Sequence, residues 1–268
     1  MSDKERLDVL VARLGYCESR SKAKREIMAG NVFVDGQLSD KPGKSVSPES
    51  RIELRNDDRR YVSRGGRKLA HALEEFGIDV SGKKAVDVGA STGGFTDCLL
   101  QNGALQVWAV DVGKGQLEWK LRKDERVKVL EDLNARYLAF DDIGQLVDLV
   151  TVDVSFISLQ LIIPAVKRVL KADGSLLCLV KPQFEAGPEN VERGGVVKDP
   201  AVHLQVLEDT EEFSRSQGLI LVGATYSPIT GKSSQNIEYL FHLRNSSSLP
   251  RDEWDFPSLV KEAHQELD

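Results

Sequence analysis

The chain contains few of the residues that build disulfide-linked or zinc-binding folds. Its 268 residues include 3 cysteines and 4 histidines, and no Cys-x-x-Cys pair is present. This disfavours a disulfide framework and the usual zinc motifs, so we expect free thiols and a cytoplasmic protein. No run of 18 apolar residues exists, and the N-terminus is charged from its third residue. These features argue against a membrane-spanning helix and a secretory signal.

The charge is distributed unevenly along the chain. The net charge of −6 by itself disfavours a nucleic-acid partner. However, residues 1–70 hold 16 Lys and Arg against 11 Asp and Glu, a net charge of +5, whereas the remainder holds 20 against 31, a net charge of −11. A basic end on an acidic body favours a polyanion that is bound at that end.

Residues 1–56 carry the pattern of a small separate domain. Apolar spacing and turn residues predict a helix ended by Gly15, a helix from Ser19 to about Met28, and short strands at 31–36 and 50–54. A solvated face is one explanation for the basic residues of the two helices. RNA binding is the other.

This segment closely resembles an S4 RNA-binding domain in the words Arg6-Leu7-Asp8, Ser19-Arg20-Ser21-Lys22-Ala23 and Val32-x-Val34-Asp35-Gly36. The resemblance implies a module that docks on structured RNA through shape and phosphate contacts. The candidate RNA contacts are Arg6, Arg20, Lys22, Lys24, Arg25, Lys41 and Arg64.

A polar stretch at 57–65 predicts a linker into a second domain at 66–245. Strands are predicted there at 84–90, 106–112, 127–131, 148–154, 175–181, 219–227 and 237–244. A helix is predicted before the first strand at 66–77, and helices between the strands are predicted at 94–102, 115–122, 158–170 and 200–217. This alternation predicts an α/β fold with a mostly parallel, seven-stranded, doubly wound sheet whose site lies at the carboxyl ends of the strands.

The last two predicted strands are joined too closely for a parallel crossover, so we expect the last strand to be antiparallel. That feature is typical of Rossmann-like methyltransferases and not of NAD-binding domains. Residues 246–268 form a tail that we expect to contain an amphipathic helix from about Ser258.

The strongest functional signal is a glycine turn after the first strand of this domain. It reads Gly89-Ala-Ser-Thr-Gly93-Gly94, with Asp87 two residues before it. The next strand ends at Asp111, about twenty residues later, where a carboxylate can accept hydrogen bonds from both hydroxyls of a ribose. The spacing misses the NAD fingerprint and resembles the first motif of Rossmann-like S-adenosylmethionine (SAM) methyltransferases, D-x-G-x-x-x-G-G-F. An ordinary turn in an NAD or nucleotide fold is the alternative.

The resemblance implies that SAM is the cofactor and that it is bound by residues of the turn and of the following strand ends. The candidates are Asp87, Gly89, Ala90, Ser91, Thr92, Gly93, Gly94, Phe95, Asp111, Val112, Asp132, Leu133 and Asp153.

Four ionisable residues fall at positions that the predicted topology brings together. Asp153 and Lys181 end neighbouring strands, Lys68 opens the helix before the first strand, and Glu238 begins the last strand. Each alone can be a surface charge or part of a salt bridge. In order and element they are similar to the Lys-Asp-Lys-Glu tetrad of FtsJ-like ribose 2′-O-methyltransferases.

The flanking words look like those of the TlyA family, which joins an S4 domain to an FtsJ-type methyltransferase. They include Ser63-Arg64-Gly65-Gly66-x-Lys68-Leu69, Asp153-x-Ser155-Phe156-Ile157-Ser158 and Lys181-Pro182-Gln183-Phe184-Glu185. The resemblance implies methylation of ribosomal RNA at a cytidine 2′-oxygen and ribosomal subunits as partners. Many members carry the label haemolysin A, but no amphipathic membrane segment supports lysis.

For such a reaction we expect Lys181 to accept the proton of the ribose hydroxyl, with the nearby charge of Lys68 favouring the neutral amine. Asp153 and Glu238 would hold the lysines and the ribose, and no metal is needed. The segment 182–197 is expected to be a mobile loop over the RNA.

Two other functions stay open at this point. The sequence Asp153-Val154-Ser155-Phe156 lacks the prolines that methyltransferases of exocyclic amines place here, which disfavours methylation of a base nitrogen. A non-catalytic RNA-binding or ribosome-assembly factor that retains the SAM fold is the second alternative, although the intact tetrad argues against it.

Overall fold

The structure of the chain is a computed structural model. It describes residues 4–17, 19–28, 31–54, 60–231, 236–246 and 253–267. The chain divides into two compact units, Met1–Arg59 and Arg60–Asp268. The expected linker at 57–65 lies partly outside the described residues, and a helix begins at its last residue, Gly65. No helix of the described residues is long and apolar enough to cross a membrane.

The first unit contains helices α1 (Leu7–Arg13) and α2 (Arg20–Met28) with strands β1 (Glu5–Arg6), β2 (Val32–Val34), β3 (Gln37–Leu38), β4 (Ser45–Val46) and β5 (Ile52–Leu54). Strand β2 pairs antiparallel with β3 and β5, and β1 pairs antiparallel with β4. Leu7, Leu10 and Ile27 of the helices pack with Val32 and Ile52 of the strands in one core. The predicted helices are therefore present, whereas β1 and β4 are too short to show an alternating pattern in the sequence.

Seven described strands form the sheet of the second unit, in the order β11-β12-β10-β9-β6-β7-β8. Their bounds are β6 Lys84–Val88, β7 Gln106–Val110, β8 Val127–Leu130, β9 Val147–Val152, β10 Leu170–Val180, β11 Ile220–Tyr226 and β12 Tyr239–Arg244. Strands β10, β9, β6, β7 and β8 are parallel to one another, and β12 runs antiparallel between β10 and β11. The predicted fold class, including the antiparallel last strand, is confirmed.

Helices cover both faces of this sheet. They are α3 Gly65–Glu75, α4 Gly94–Gln101, α5 Trp119–Arg122, α6 Phe140–Ile143, α7 Ile163–Lys167, α8 Pro182–Glu185, α9 Pro200–Ser216 and α10 Phe256–Leu267. Successive residues of a strand face opposite sides, so Leu149 packs with α3 and α4 while Val150 packs with α7, α9 and α10. The C-terminal helix α10 contributes Phe256, Val260 and Ala263 to the second of these cores.

Two predicted helices are shorter than expected. The helix predicted at 158–170 is a 3-10 turn at Leu159–Leu161 followed by α7, which begins at Ile163 with Pro164 in its first turn. Proline has no amide hydrogen to donate inside a helix, so it is tolerated only at the start. The helix predicted at 115–122 is reduced to Trp119–Arg122.

Candidate active site

The glycine turn lies at the carboxyl end of β6, next to the end of β9. Gly89 has a φ of 83°, and a Cβ atom at this position would overlap the backbone carbonyl of Asp153. The amide of Asp153 in turn donates to the carbonyl of Val88 at 2.9 Å. Glycine is therefore required for both the left-handed backbone and the close approach that sets the turn beside Asp153.

The second half of the turn brings the starts of α3 and α4 together. Gly93 has a φ of 97°, and α4 begins directly after it at Gly94. A Cβ atom on Gly94 would overlap Ser63 and lie 2.9 Å from the amide nitrogen of Gly66. Because α3 carries Lys68, this packing places that lysine on the helix adjacent to the cofactor turn.

The predicted ribose acceptor is held by the same turn. The Oδ2 atom of Asp111 accepts a hydrogen bond from the amide of Ser91 at 2.7 Å, and its Oδ1 atom accepts one from the amide of Gly113 at 2.7 Å. The amide of Leu133, after β8, donates to the carbonyl of Asp111 at 3.1 Å. The ends of β6, β7 and β8 are thus linked through one residue, Asp111.

A cavity of about 1230 Å³ opens at these strand ends. One wall follows β6, β7 and β8 and includes Gly89, Ser91, Asp111, Val112 and Leu133. The other wall follows β9 and β10 and includes Ser155, Phe156, Gln183 and Phe184. Asp153 lies on the lining at the end of β9, which separates β10 from β6 in the sheet. The volume exceeds that of a typical pocket for one small molecule and suits a cofactor together with a nucleotide.

The remaining predicted cofactor residues do not belong to the lining. Ala90, Thr92, Gly93, Gly94 and Phe95 form the turn and its packing. Asp132 points to solvent, with 67% of its side chain exposed, and pairs with Lys114 at 2.9 Å. Asp132 is not among the residues that line the cavity.

Asp87 has a structural environment that differs from the predicted one. Its side chain is fully buried and accepts hydrogen bonds from Thr96 at 2.7 Å and from Thr151 at 3.0 Å. Burial raises the pKa of Asp87 to about 6, against the lowering effect of the two threonine hydroxyls. Through these bonds the carboxyl group links α4 to β9, next to the turn, and so stabilises the position of the turn.

The four tetrad residues form two ion pairs. Lys68 of α3 pairs with Glu238, which lies one residue before β12, and both side chains are buried. Lys181, directly after β10, pairs with Asp153 at 2.6 Å between Nζ and Oδ1. Asp153 is the member on the cavity lining. The sequence placed these residues on the correct elements, and the structure shows which partner each lysine has.

The ammonium group of Lys181 has three acceptors. Besides Asp153, it donates to the carbonyl of Val154 at 2.8 Å and to the hydroxyl of Ser155 at 3.3 Å. Since an ammonium has three N–H donors, this set satisfies it completely. The bond to Ser155 is the longest of the three, which makes it the easiest to exchange for another oxygen.

An aromatic pair that the sequence did not assign to the site lies beside Lys181. Phe156 is 91% exposed and has a φ of 63°, and its ring centroid lies 5.1 Å from that of Phe184. An apolar ring exposed to this extent next to a cavity contributes little to folding. Its only sequence signal was its position within the Asp-x-Ser-Phe word.

The segment expected to be a mobile loop has fixed attachments in the structure. Near its start, Glu185 accepts hydrogen bonds from the hydroxyl of Ser158 at 2.6 Å and the amide of Leu159 at 2.9 Å, and burial raises the pKa of this carboxyl. At its end, Asn236 accepts from the amide of Val197 at 3.0 Å. His203 binds the carbonyl of Val197 at 2.9 Å.

Within the first unit, two predicted RNA contacts have an internal role. Asp8 is fully buried on α1 and receives two hydrogen bonds from Arg6, both at 3.0 Å, and one from Arg20 at 3.1 Å. The Arg6 guanidinium lowers the pKa of Asp8. Both arginine side chains remain about half exposed, at 49% and 52%. Their guanidinium groups stabilise the buried carboxylate as well as presenting charge.

The other predicted RNA contacts differ in how exposed they are and in the unit to which they belong. Lys24 and Lys41 are exposed and Lys22 is partly exposed, whereas the side chain of Arg25 lies outside the described residues. Arg64 belongs to the second unit and donates to the carbonyl of Thr230 at 3.0 Å.

Comparison with known proteins agrees with this arrangement. The chain matches the FtsJ-like methyltransferase family over residues 61–245 and the S4 domain over residues 5–52. It is 48% identical to YqxC of Bacillus subtilis, provisionally named an rRNA methyltransferase, over 99% of this chain and 96% of that protein. It is 44% identical to the 16S/23S rRNA (cytidine-2′-O)-methyltransferase TlyA of Mycobacterium tuberculosis over 92% of each chain.

A solved structure from Streptococcus thermophilus whose name carries the word hemolysin is 44% identical and has a TM-score of 0.79, covering 99% of this chain and 98% of that one. These similarities extend over both units. The chain therefore belongs to the FtsJ-like methyltransferases, in the TlyA family, in which an S4 domain precedes the methyltransferase domain.

Proposed function

We propose that this chain transfers a methyl group from SAM to the ribose 2′-oxygen of a cytidine in ribosomal RNA. The observation that carries the proposal is the two ion pairs, Lys68–Glu238 and Lys181–Asp153, the second of which borders the cavity. Supporting it, the TlyA relative from M. tuberculosis is named for this reaction at cytidine.

The wall around Asp111 fits SAM. A carboxylate offers about four lone-pair positions, and the amides of Ser91 and Gly113 take two of them, so positions are left for ribose hydroxyls. Val112 and Leu133 add apolar surface that suits an adenine ring. When bound, SAM supplies a methyl group that is already activated by its sulfonium.

The chain must align a weak nucleophile and remove its proton. We assign proton acceptance to Lys181. The ammonium that results is the species for which Asp153, Val154 and Ser155 provide acceptors.

The first unit would supply affinity for RNA. A domain with exposed basic residues, such as Lys24 and Lys41, binds phosphates without reading bases. Deletion of residues 1–56 should then leave SAM binding intact and abolish methylation of ribosomal subunits. A truncated protein with full activity would contradict this division of labour.

The reaction itself is tested with Lys181→Ala, incubated with ribosomal subunits and SAM that carries a labelled methyl group. The rate should fall at least about a hundredfold, the usual scale of acid–base contributions, while SAM affinity measured by calorimetry is nearly unchanged. Lys198→Ala is the matched control, because Lys198 is 68% exposed and pairs with Glu192.

The product of the wild-type protein should resist alkaline cleavage at one nucleotide, since a methylated 2′-oxygen cannot attack the adjacent phosphate. A methyl group found on a base, or a wild-type rate for Lys181→Ala, would show that the ribose mechanism is wrong.

A further inference from the structure

Gln183 has a polar group for which the protein provides no partner. Its side chain lies on the cavity wall after β10, two residues beyond Lys181. The amide oxygen Oε1 is buried and accepts no hydrogen bond from any described residue. Most buried acceptors in folded proteins are satisfied, and leaving one unpaired costs about 1–3 kcal/mol. The residue lines the cavity, and no hydrogen bond from a described residue holds its amide oxygen, so the amide is available to a ligand that donates.

The position of Gln183 separates it from the SAM wall. It shares its side of the cavity with Phe156 and Phe184, after β9 and β10. Asp111 belongs to the opposite side, after β7, and two strands lie between β7 and β10 in the sheet. The ligand of Gln183 is therefore the second occupant of the cavity, the one that brings the oxygen to be methylated.

We propose that Gln183 selects the base of the target nucleotide by accepting a hydrogen bond from its exocyclic amine. This rests on the proposed function, because it assumes an RNA nucleotide in the cavity. The exposed ring of Phe156 supplies a flat apolar face for a base that has left its stack, and the amide reads the edge of that base.

The chemistry of an acceptor at this point favours one of the two pyrimidines. Cytosine carries an amine at its fourth ring position, whereas uracil carries a carbonyl oxygen there. An oxygen of Gln183 attracts the amine and repels the carbonyl. A rotation about the last side-chain bond, which exchanges the positions of Oε1 and Nε2, would bring the oxygen to the cavity, and it breaks no hydrogen bond to Oε1 from a described residue.

The test compares ribosomal subunits that carry either cytidine or uridine at the mapped target position. The readout is the ratio of kcat/KM for the two substrates, with SAM affinity measured in parallel. A well-placed base contact contributes about 1–3 kcal/mol of discrimination, so the wild-type protein should favour cytidine by about 5- to 150-fold.

Gln183→Met keeps the length of the side chain and removes both polar atoms, so packing should be retained. This variant should lower the ratio to near one, mainly through slower reaction at cytidine, without a change in SAM affinity. Gln183→Glu keeps an acceptor and should retain part of the preference. Gln205→Leu, an exposed glutamine on α9, is the control and should keep the wild-type ratio.

A folded Gln183→Met variant with the wild-type ratio would overturn this inference and leave the proposed function standing. Equal rates of the wild-type protein on cytidine and uridine would do the same. If the wild-type protein places no methyl group on RNA ribose, both the inference and the proposed function fail.

Discussion

Phe156 allows a test of RNA contact that is separate from folding. Its side chain is 91% exposed, so Phe156→Ala removes almost no buried surface, and the free energy of unfolding should change by less than about 0.5 kcal/mol. Stacking of a base on an aromatic ring contributes about 1–3 kcal/mol. Because Phe184 remains 5.1 Å from the vacated position, part of the stacking surface is kept. We expect kcat/KM for methylation of ribosomal subunits to fall about tenfold.

The assay measures steady-state transfer of a labelled methyl group, together with the unfolding midpoint in urea and the Kd for SAM. Phe156→Trp should keep most of the activity, because it keeps a flat ring. Leu105→Ala is the control for an exposed apolar residue, since Leu105 is 55% exposed and lies outside the cavity lining. Wild-type kcat/KM for Phe156→Ala would refute the stacking role. An equal loss of SAM affinity would assign the residue to the cofactor instead.

Three further predictions follow from other parts of the structure. Asp111→Ala should weaken SAM binding by about 1–3 kcal/mol in calorimetry, whereas Asp132→Ala should not, and equal effects would contradict the division of the lining. For Asp87, the native pKa of about 6 exceeds that of the unfolded chain, so stability falls as pH rises from about 4 to about 6. In urea unfolding, Asp87→Asn should remove up to about 3 kcal/mol of this pH dependence. Burial lowers the pKa of His242 to about 4, so His242 contributes a pH dependence of the opposite sign. This contribution is the same in the wild-type protein and the variant. Lys24→Glu should flatten the salt dependence of RNA binding by about one unit of log–log slope without changing the unfolding midpoint, whereas Arg20→Glu should lower both, because it removes a partner of buried Asp8.

The sheet could be predicted because each of its signals is local. Apolar runs, the glycine turn at Gly89 and the acid at Asp111 follow one another within short stretches of chain, and the short connection before the last strand indicated its direction. The structure adds that β10 begins early, at Leu170. Its pairing with β9 is interrupted before Ser175, where Asp173 has a φ of 58°. Such an irregularity leaves no periodic trace.

The partners of the charged residues could not be predicted, because they depend on contacts between distant parts of the chain. Lys68 and Glu238 are 170 positions apart. Their spacing gives no reason to pair Lys68 with Glu238 rather than with Asp153, or Glu238 with Lys68 rather than with Lys181. For Asp87 the sequence predicted a partner, but a different one from those in the structure. Its position in a motif suggested contact with a cofactor, but its two threonine partners come from α4 and β9, which only the fold brings together.

The Lys68–Glu238 pair is difficult to explain by stability alone. Both side chains are buried, and moving two charges out of water costs about as much as their attraction returns, so an apolar pair of similar volume would serve the fold equally well. The same reasoning applies less strongly to Lys181 and Asp153, since 22% of the Asp153 side chain is exposed. Charge at the buried position is therefore useful for something other than folding. In the proposed reaction the pair would contribute fixed charges near the reacting atoms, and a polar pair that is fixed before the substrate arrives does this without further reorganisation.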